Sequence, residues 1–176
     1  SELKKMNGAI HASFKAWTNA SSNGVPGQAR TYAESKDGLI NFDGDITQLE
    51  ADKQALLDEI TYEEYQQMIS DLDTNDPAYQ ETYEGLVALR DADGTRTDAE
   101  IAAELEPIQS ELNEYAGYET TGDDALNSLT GGRELSDEAM GVFEARVDEY
   151  LASDEYLASK ETDEEVLLLE DDIPVE

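Results

Sequence analysis

The sequence predicts an all-α protein, and three features carry that prediction. Apolar residues recur at steps of three and four through several segments. Thr-x-x-Glu capping boxes stand at the head of three of those segments, and Gly and Pro pairs separate segments from one another. The expected architecture is a helical bundle of about five helices with antiparallel neighbours, an N-terminal amphipathic arm and an acidic C-terminal tail.

Leu3, Met6, Ile10, Phe14 and Trp17 step by three and four, which marks one amphipathic helix over residues 2–18. Asn23-Gly24 and Pro26-Gly27 then break the pattern. A short helix over 28–36 and a short extended stretch at Leu39, Ile40 and Phe42 follow, ahead of the Asp43-Gly44 turn. Thr47-Gln-Leu-Glu50 is a capping box, whose Thr oxygen and Glu carboxylate satisfy orphan amides, and it opens a helix carrying Ile46, Leu49, Leu56 and Ile60. A second box, Thr61 to Glu64, restarts or continues that helix through Tyr65, Met68, Ile69 and Leu72.

Asp76 is placed to cap the next helix, with Pro77 at its first position and Tyr79, Tyr83, Leu86 and Val87 on one face. A third box, Thr97 to Glu100, starts the clearest element, because Ile101, Leu105, Ile108, Leu112 and Tyr115 form a coiled-coil-like seam. Pro107 inside it predicts a kink. Gly131-Gly132 closes a weaker segment, and Ser136 caps a final helix with Met140, Phe143, Val147 and Tyr150 on its face. That helix is expected to run through two identical hexads, Asp-Glu-Tyr-Leu-Ala-Ser at 148–153 and 154–159. Six is not a heptad, so the two copies rotate and are not expected to bury Tyr and Leu alike. Val166 to Leu169 make a short apolar anchor in the tail.

The chain has 176 residues, of which 43 are acidic and 11 basic, for a formal charge of −32. A fold of this length removes roughly 70% of its unfolded surface from water, so a core is expected. The charge is uneven. Residues 1–46 hold five acids and five bases, while residues 47–176 hold 38 acids and six bases. No acid lies between Leu3 and Ala33, and residues 161–176 hold eight acids and no base. These shifts divide the chain into an N-terminal docking segment (1–36), a helical domain (37–160) and an acidic tail (161–176).

Such a charge excludes direct nucleic-acid or anionic-lipid binding as the main task, since phosphates are drawn by Lys and Arg. The absence of Cys excludes disulfides, thiol catalysis and Cys-ligated zinc. No apolar run reaches the ~18 residues of a membrane span, and no signal-peptide core is expected at the N-terminus, which points to a cytoplasmic or virion location. His11 is the single histidine, and there is no phosphate-cradling Gly loop, Gly-x-Ser-x-Gly or His-Glu-x-x-His. A non-enzymatic protein without cofactor or metal is therefore expected.

Two stretches, 39–50 and 89–100, resemble the EF-hand calcium loop. Asn41 and Asp43, or Asp91 and Asp93, stand at its third and fifth positions, with Gly44 or Gly94 at the sixth and Glu50 or Glu100 at the twelfth. Leu39 and Leu89 occupy the first ligand position, and the shared Asp-Gly-x-x-Thr-x-x-Glu also spells a turn feeding a capping box, which is the reading adopted.

Few lysines and abundant Asp and Glu resemble the composition of haloarchaeal proteins and those of their viruses. In molar salt the Debye length falls from about 8 Å to about 3 Å, so such charge is tolerated. A salt-adapted surface is acidic wherever it meets solvent, so the acid-free stretch is expected to meet another chain. Leu3, Met6, Ile10, Phe14 and Trp17 are the expected partner-binding residues, in a structural or assembly protein resembling the connectors and adaptors of tailed viruses and open to self-association. The alternative is a DNA mimic like phage anti-restriction proteins, with carboxylates standing in for phosphates.

Overall fold

The computed structural model describes the backbone of residues 3–171 and the side chains of residues 4–162. Helix is the only regular structure among them, so the all-α expectation holds. The helices are more numerous than the five expected: α1 (Leu3–His11), α2 (Phe14–Asn19), α3 (Val25–Ile40), α4 (Ile46–Asp58), α5 (Tyr62–Ser70), α6 (Tyr79–Arg90), α7 (Asp98–Thr130), α8 (Asp137–Leu151) and α9 (Asp154–Asp171). They gather into two compact units, residues 1–42 with 115–176, and residues 43–114. The divisions expected at 36 and 160 are not where the chain separates, because α1, α2 and α3 pack with α8 and α9 in the first unit.

Several local signals act as their chemistry dictates. Ser136 caps α8 by accepting the Ala139 amide at 3.2 Å, and Thr61 caps α5 by accepting that of Glu64 at 3.3 Å. At the head of α7 the box is reciprocal: the Glu100 amide donates to Thr97 Oγ1 at 3.1 Å, and the Thr97 amide donates to the Glu100 carboxylate at 3.5 Å. Gly131 and Gly132 take φ of +67° and +81°, and the Gly132 amide bonds the Asn127 carbonyl at 3.0 Å. That is a Schellman ending, open to residues without a Cβ.

Other expectations are corrected. The single helix over 2–18 is two helices, since Ser13 leaves the helical conformation and caps α2 through the Ala16 amide. The α4 cap is Asp45, not Thr47, and the Asp76-Pro77 pair forms a turn whose carboxylate accepts the Ala78 amide just ahead of α6. There is no extended stretch at 39–42, because α3 runs 16 residues from Val25 through Ile40. Pro26, read as a breaker, sits in the first turn of α3, where proline loses no hydrogen bond. Gly27 is required there for a different reason, as a Cβ would lie 1.9 Å from the Ser21 carbonyl oxygen. The segment before Gly131 is the continuation of α7, which passes through Pro107. The side chains of Val166 to Leu169, the expected anchor, lie outside the described residues.

The hexad repeat is broken between its copies. α8 ends at Leu151, and Ser153 caps α9 by accepting the Tyr156 amide at 3.2 Å. The break resets the helical register, so Tyr150 and Tyr156 are both buried, while Leu157 of the second copy is exposed.

The first unit holds the core: Met6, Ala9, Trp17, Ala29, Ala33, Leu129, Phe143, Val147, Tyr150 and Tyr156. Ala29 and Ala33, one turn apart on α3, keep side-chain bulk low where α3 packs on α1, α2 and α8. The Trp17 and Tyr150 rings lie 4.8 Å apart, Phe14 stands 5.7 Å and 5.4 Å from them, and Tyr156 joins Tyr150 at 5.2 Å. In the second unit only Leu56 and Ile101 are buried among described apolar side chains, and α5 and α6 bury none. Polar bonds tie it together. The Tyr62 amide reaches the Arg96 carbonyl at 2.9 Å, Glu63 accepts the Asp98 amide at 2.8 Å, and the Arg96 guanidinium bridges Glu59 and Glu104.

Candidate functional site

The five residues expected to bind a partner are placed by the break between α1 and α2. Met6 and Trp17 are 1% and 0% exposed, so they belong to the chain's own core and not to an interface. Trp17 also satisfies its indole N–H there, donating to the Ala9 carbonyl at 2.9 Å. Ile10 and Phe14 are partly buried against the same core, and the Arg146 guanidinium covers the Phe14 ring at 3.9 Å. The Leu3 side chain lies outside the described residues. A helix stripe is apolar for any apolar partner, and α3, α8 and α9 supply one.

Two arginines close the helix ends that this packing leaves open. Arg30 Nη1 donates to the carbonyls of Trp17, Thr18 and Ala20 at 2.9, 3.0 and 2.7 Å, satisfying the C-terminus of α2. Arg146 Nη2 donates to the Ala12 carbonyl at 3.1 Å, at the α1–α2 corner.

With the stripe turned inward, the polar side of the acid-free stretch faces solvent. Lys4, Lys5, Asn7, Gly8, His11, Ser13, Lys15, Asn19, Ser21, Ser22 and Asn23 are all exposed. Between α1 and the start of α3 this face holds a depression of about 490 Å³ floored by Gly8, Val25 and Pro26 and rimmed by Lys4 and Lys5, with no carboxylate among the described residues that line it. Its floor follows from the fold: Pro26 opens α3 beside α1, and Gly8 carries no side chain to fill the gap, a Cβ there lying 3.6 Å from Val25. On the other side of α1 a second hollow of about 260 Å³ is lined by Met6, Asn7, Ile10, Ala139 and the half-exposed Val142, with Glu138 at its edge. The sequence signal for the floor was Pro at a helix start directly after a turn, which is N1 chemistry.

A third hollow, of about 220 Å³ among α3, α7 and α8, holds Tyr32, Ser35, Lys36, Tyr118, Asp123 and Glu144. Lys36 Nζ bonds Glu144 at 2.5 Å and Asp148 at 2.9 Å, and the Tyr32 hydroxyl donates to Glu144. Burial works to lower the Lys36 pKa, but the bonds to Glu144 and Asp148 overcome it and hold the ammonium above its ordinary range. Burial and the same carboxylate hold the Tyr32 hydroxyl well above its own. These groups are engaged with one another and join α3 to α8.

Neither stretch that resembles a calcium loop is built as one. Residues 39 and 40 are the last turn of α3, Asp45 caps α4, and Glu100 is held by Thr97. Among the described residues no group of three or more His, Asp or Glu side chains is arranged to hold a metal ion, and no helix is long and apolar enough to cross a membrane. Comparison with known proteins finds no match: no family model fits the chain, and no curated protein or solved structure is similar to it.

Proposed function

We propose that this chain is a non-enzymatic assembly protein of a molar-salt environment, of the kind represented by virion connectors and adaptors, and that it docks through the outer face of α1 and the start of α3. The observation that supports this reading is the exposed, acid-free face of Lys4, Lys5 and Lys15 with its lysine-rimmed depression, in a chain of charge −32. Solvent-facing surface in such a protein gains solubility from carboxylates. A face without them is accounted for by a partner that covers it, and a lysine rim suits an acidic partner. The test is the size of the tagged full chain in a molar-salt extract of the cells that make it, beside a Lys4→Glu, Lys5→Glu, Lys15→Glu variant. The native chain is expected in a large fraction from which the variant drops out. Identical monomeric migration of both overturns the reading.

The DNA-mimic reading keeps one observation in its favour. Residues 43–114 hold 21 acids against three bases, and most of those carboxylates are exposed. Competition with duplex DNA for a restriction enzyme at low salt tests it, and absence of displacement removes it.

A further inference from the structure

The second unit presents large apolar side chains to solvent as if they belonged to an interface. Leu57 is 54% exposed and Ile60 39%, at the corner where α4 gives way to α5, and Tyr62, Met68, Tyr83 and Leu89 are exposed in the same unit. Leu57 and Ile60 stand three residues apart at one corner, and uncovered apolar groups that close together suit an interaction site. Its chemistry is specific. The stretch 52–64 around Leu57 and Ile60 carries Asp52, Asp58, Glu59, Glu63 and Glu64 against the single base Lys53. Glu59 is taken by Arg96, and Glu63 by the Asp98 amide. The surroundings of the corner remain strongly acidic.

The first unit carries the converse. Its depression has an apolar floor of Gly8, Val25 and Pro26, a rim of Lys4 and Lys5, and no acid among the described residues that line it. An exposed apolar corner within a strongly acidic stretch and an apolar hollow beside two ammonium groups complement each other in polarity and in charge. Both are on one chain.

Resting on the docking role proposed for the α1–α3 face, we infer that the partner is a second copy of this chain: the α4–α5 corner of one copy, with Leu57 and Ile60, inserts into the Lys4–Lys5 depression of the next. The contact is heterologous, since it joins two different surfaces, and it closes into a ring of two or more copies or runs on as a filament. Salt governs it in an unusual direction. Two copies at −32 repel at low ionic strength, and molar salt shortens the range of that repulsion to about 3 Å while leaving apolar contact and lysine–carboxylate pairs in direct contact in place. Association therefore rises with KCl, the reverse of an ordinary charge-driven interface.

The experiment uses the purified full chain and two variants, Lys4→Glu/Lys5→Glu and Leu57→Asn/Ile60→Asn. All four positions are exposed, and circular dichroism checks that helicity is kept. Sedimentation in molar KCl is expected to show species at multiples of 19.4 kDa for the native chain. Each variant alone is expected at 19.4 kDa. An equimolar mixture restores one contact, from the intact corner of the lysine variant to the intact depression of the other, and gives a species of twice that mass and no larger. A native chain that stays monomeric in molar salt overturns the inference, as does a mixture that stays monomeric or a single variant that still assembles. A monomeric native chain alongside a large native fraction in the cell extract separates the two ideas: the docking face then stands and its occupant is another protein.

Discussion

Trp17 shows how much of this fold rests on a single residue. Its ring is fully buried against Tyr150 and Phe14, and its indole N–H is satisfied by the Ala9 carbonyl. Trp17→Ala leaves a cavity and removes the indole bond to the Ala9 carbonyl, and is expected to cost about 3–5 kcal/mol in urea unfolding followed in molar KCl. Asp37 is a residue whose titration couples to folding. Burial raises its pKa, but the Lys160 ammonium at 2.9 Å and the Tyr156 hydroxyl at 2.7 Å overcome this and hold the carboxyl below its ordinary range. A carboxyl whose folded pKa is depressed contributes fully above its unfolded value of about 4 and loses that contribution as pH falls through the folded pKa. Melting in molar salt is thus expected to fall more steeply below about pH 4 for the native chain than for Asp37→Asn, which starts lower at neutral pH. Lys36, Tyr32 and Tyr156 have raised pKa values. Their contributions are complete below about pH 10 and are lost as pH climbs through the folded values, so alkali weakens the same α3–α8 and α3–α9 contacts.

Among the helices, two glycines separate local propensity from packing. Gly117 lies inside α7 with no neighbour within 4 Å of an added Cβ, so Gly117→Ala is expected to stabilise by about 0.5–1 kcal/mol through helix propensity alone. Gly27 lies inside α3 with the Ser21 carbonyl in the way, and Gly27→Ala is expected to destabilise by about 1–3 kcal/mol as the loop between α2 and α3 shifts. Paired thermal melts decide between these signs, and an equal effect at the two positions contradicts the close approach of that loop. The Thr61 cap before α5 and the capping box before α7 were legible in the letters, because their bonds reach only three residues. The break at Ser13 was not. Ser is a good cap, but it becomes one here because α2 must turn to seat Trp17 between Ala9 and Tyr150. The two hexads make the same point, as identical letters end one helix and continue in another once Tyr156 is held by Asp37.

For the molecule as a whole, charge and burial are distributed in opposite ways. Residues 43–114 carry 21 acids against three bases and bury two apolar side chains, while the unit of residues 1–42 and 115–176 holds the aromatic core. Self-repulsion at low salt should therefore be felt first in α4, α5 and α6. Thermal melts are expected to rise between about 0.1 and 2 M KCl. Amide exchange at the low end should be faster in α5 and α6 than in α2, α3 and α8. A melting midpoint indifferent to KCl would contradict salt adaptation, and uniform exchange would contradict the uneven burial.

The sequence by itself determined that this protein is helical, where three of its caps and its α7 terminus fall, and that its N-terminal stretch is the one place without acids. Each of these depends on residue type or on spacings within a few positions. Only the tertiary structure decided that the apolar stripe with Met6 and Trp17 is core and that the lysine side of the same helices is the exposed face. A periodic pattern states which side of a helix avoids water, but not whether the covering surface belongs to the same chain. That is settled by α3, α8 and α9, elements that the chain brings to α1 and α2 from as far as position 156.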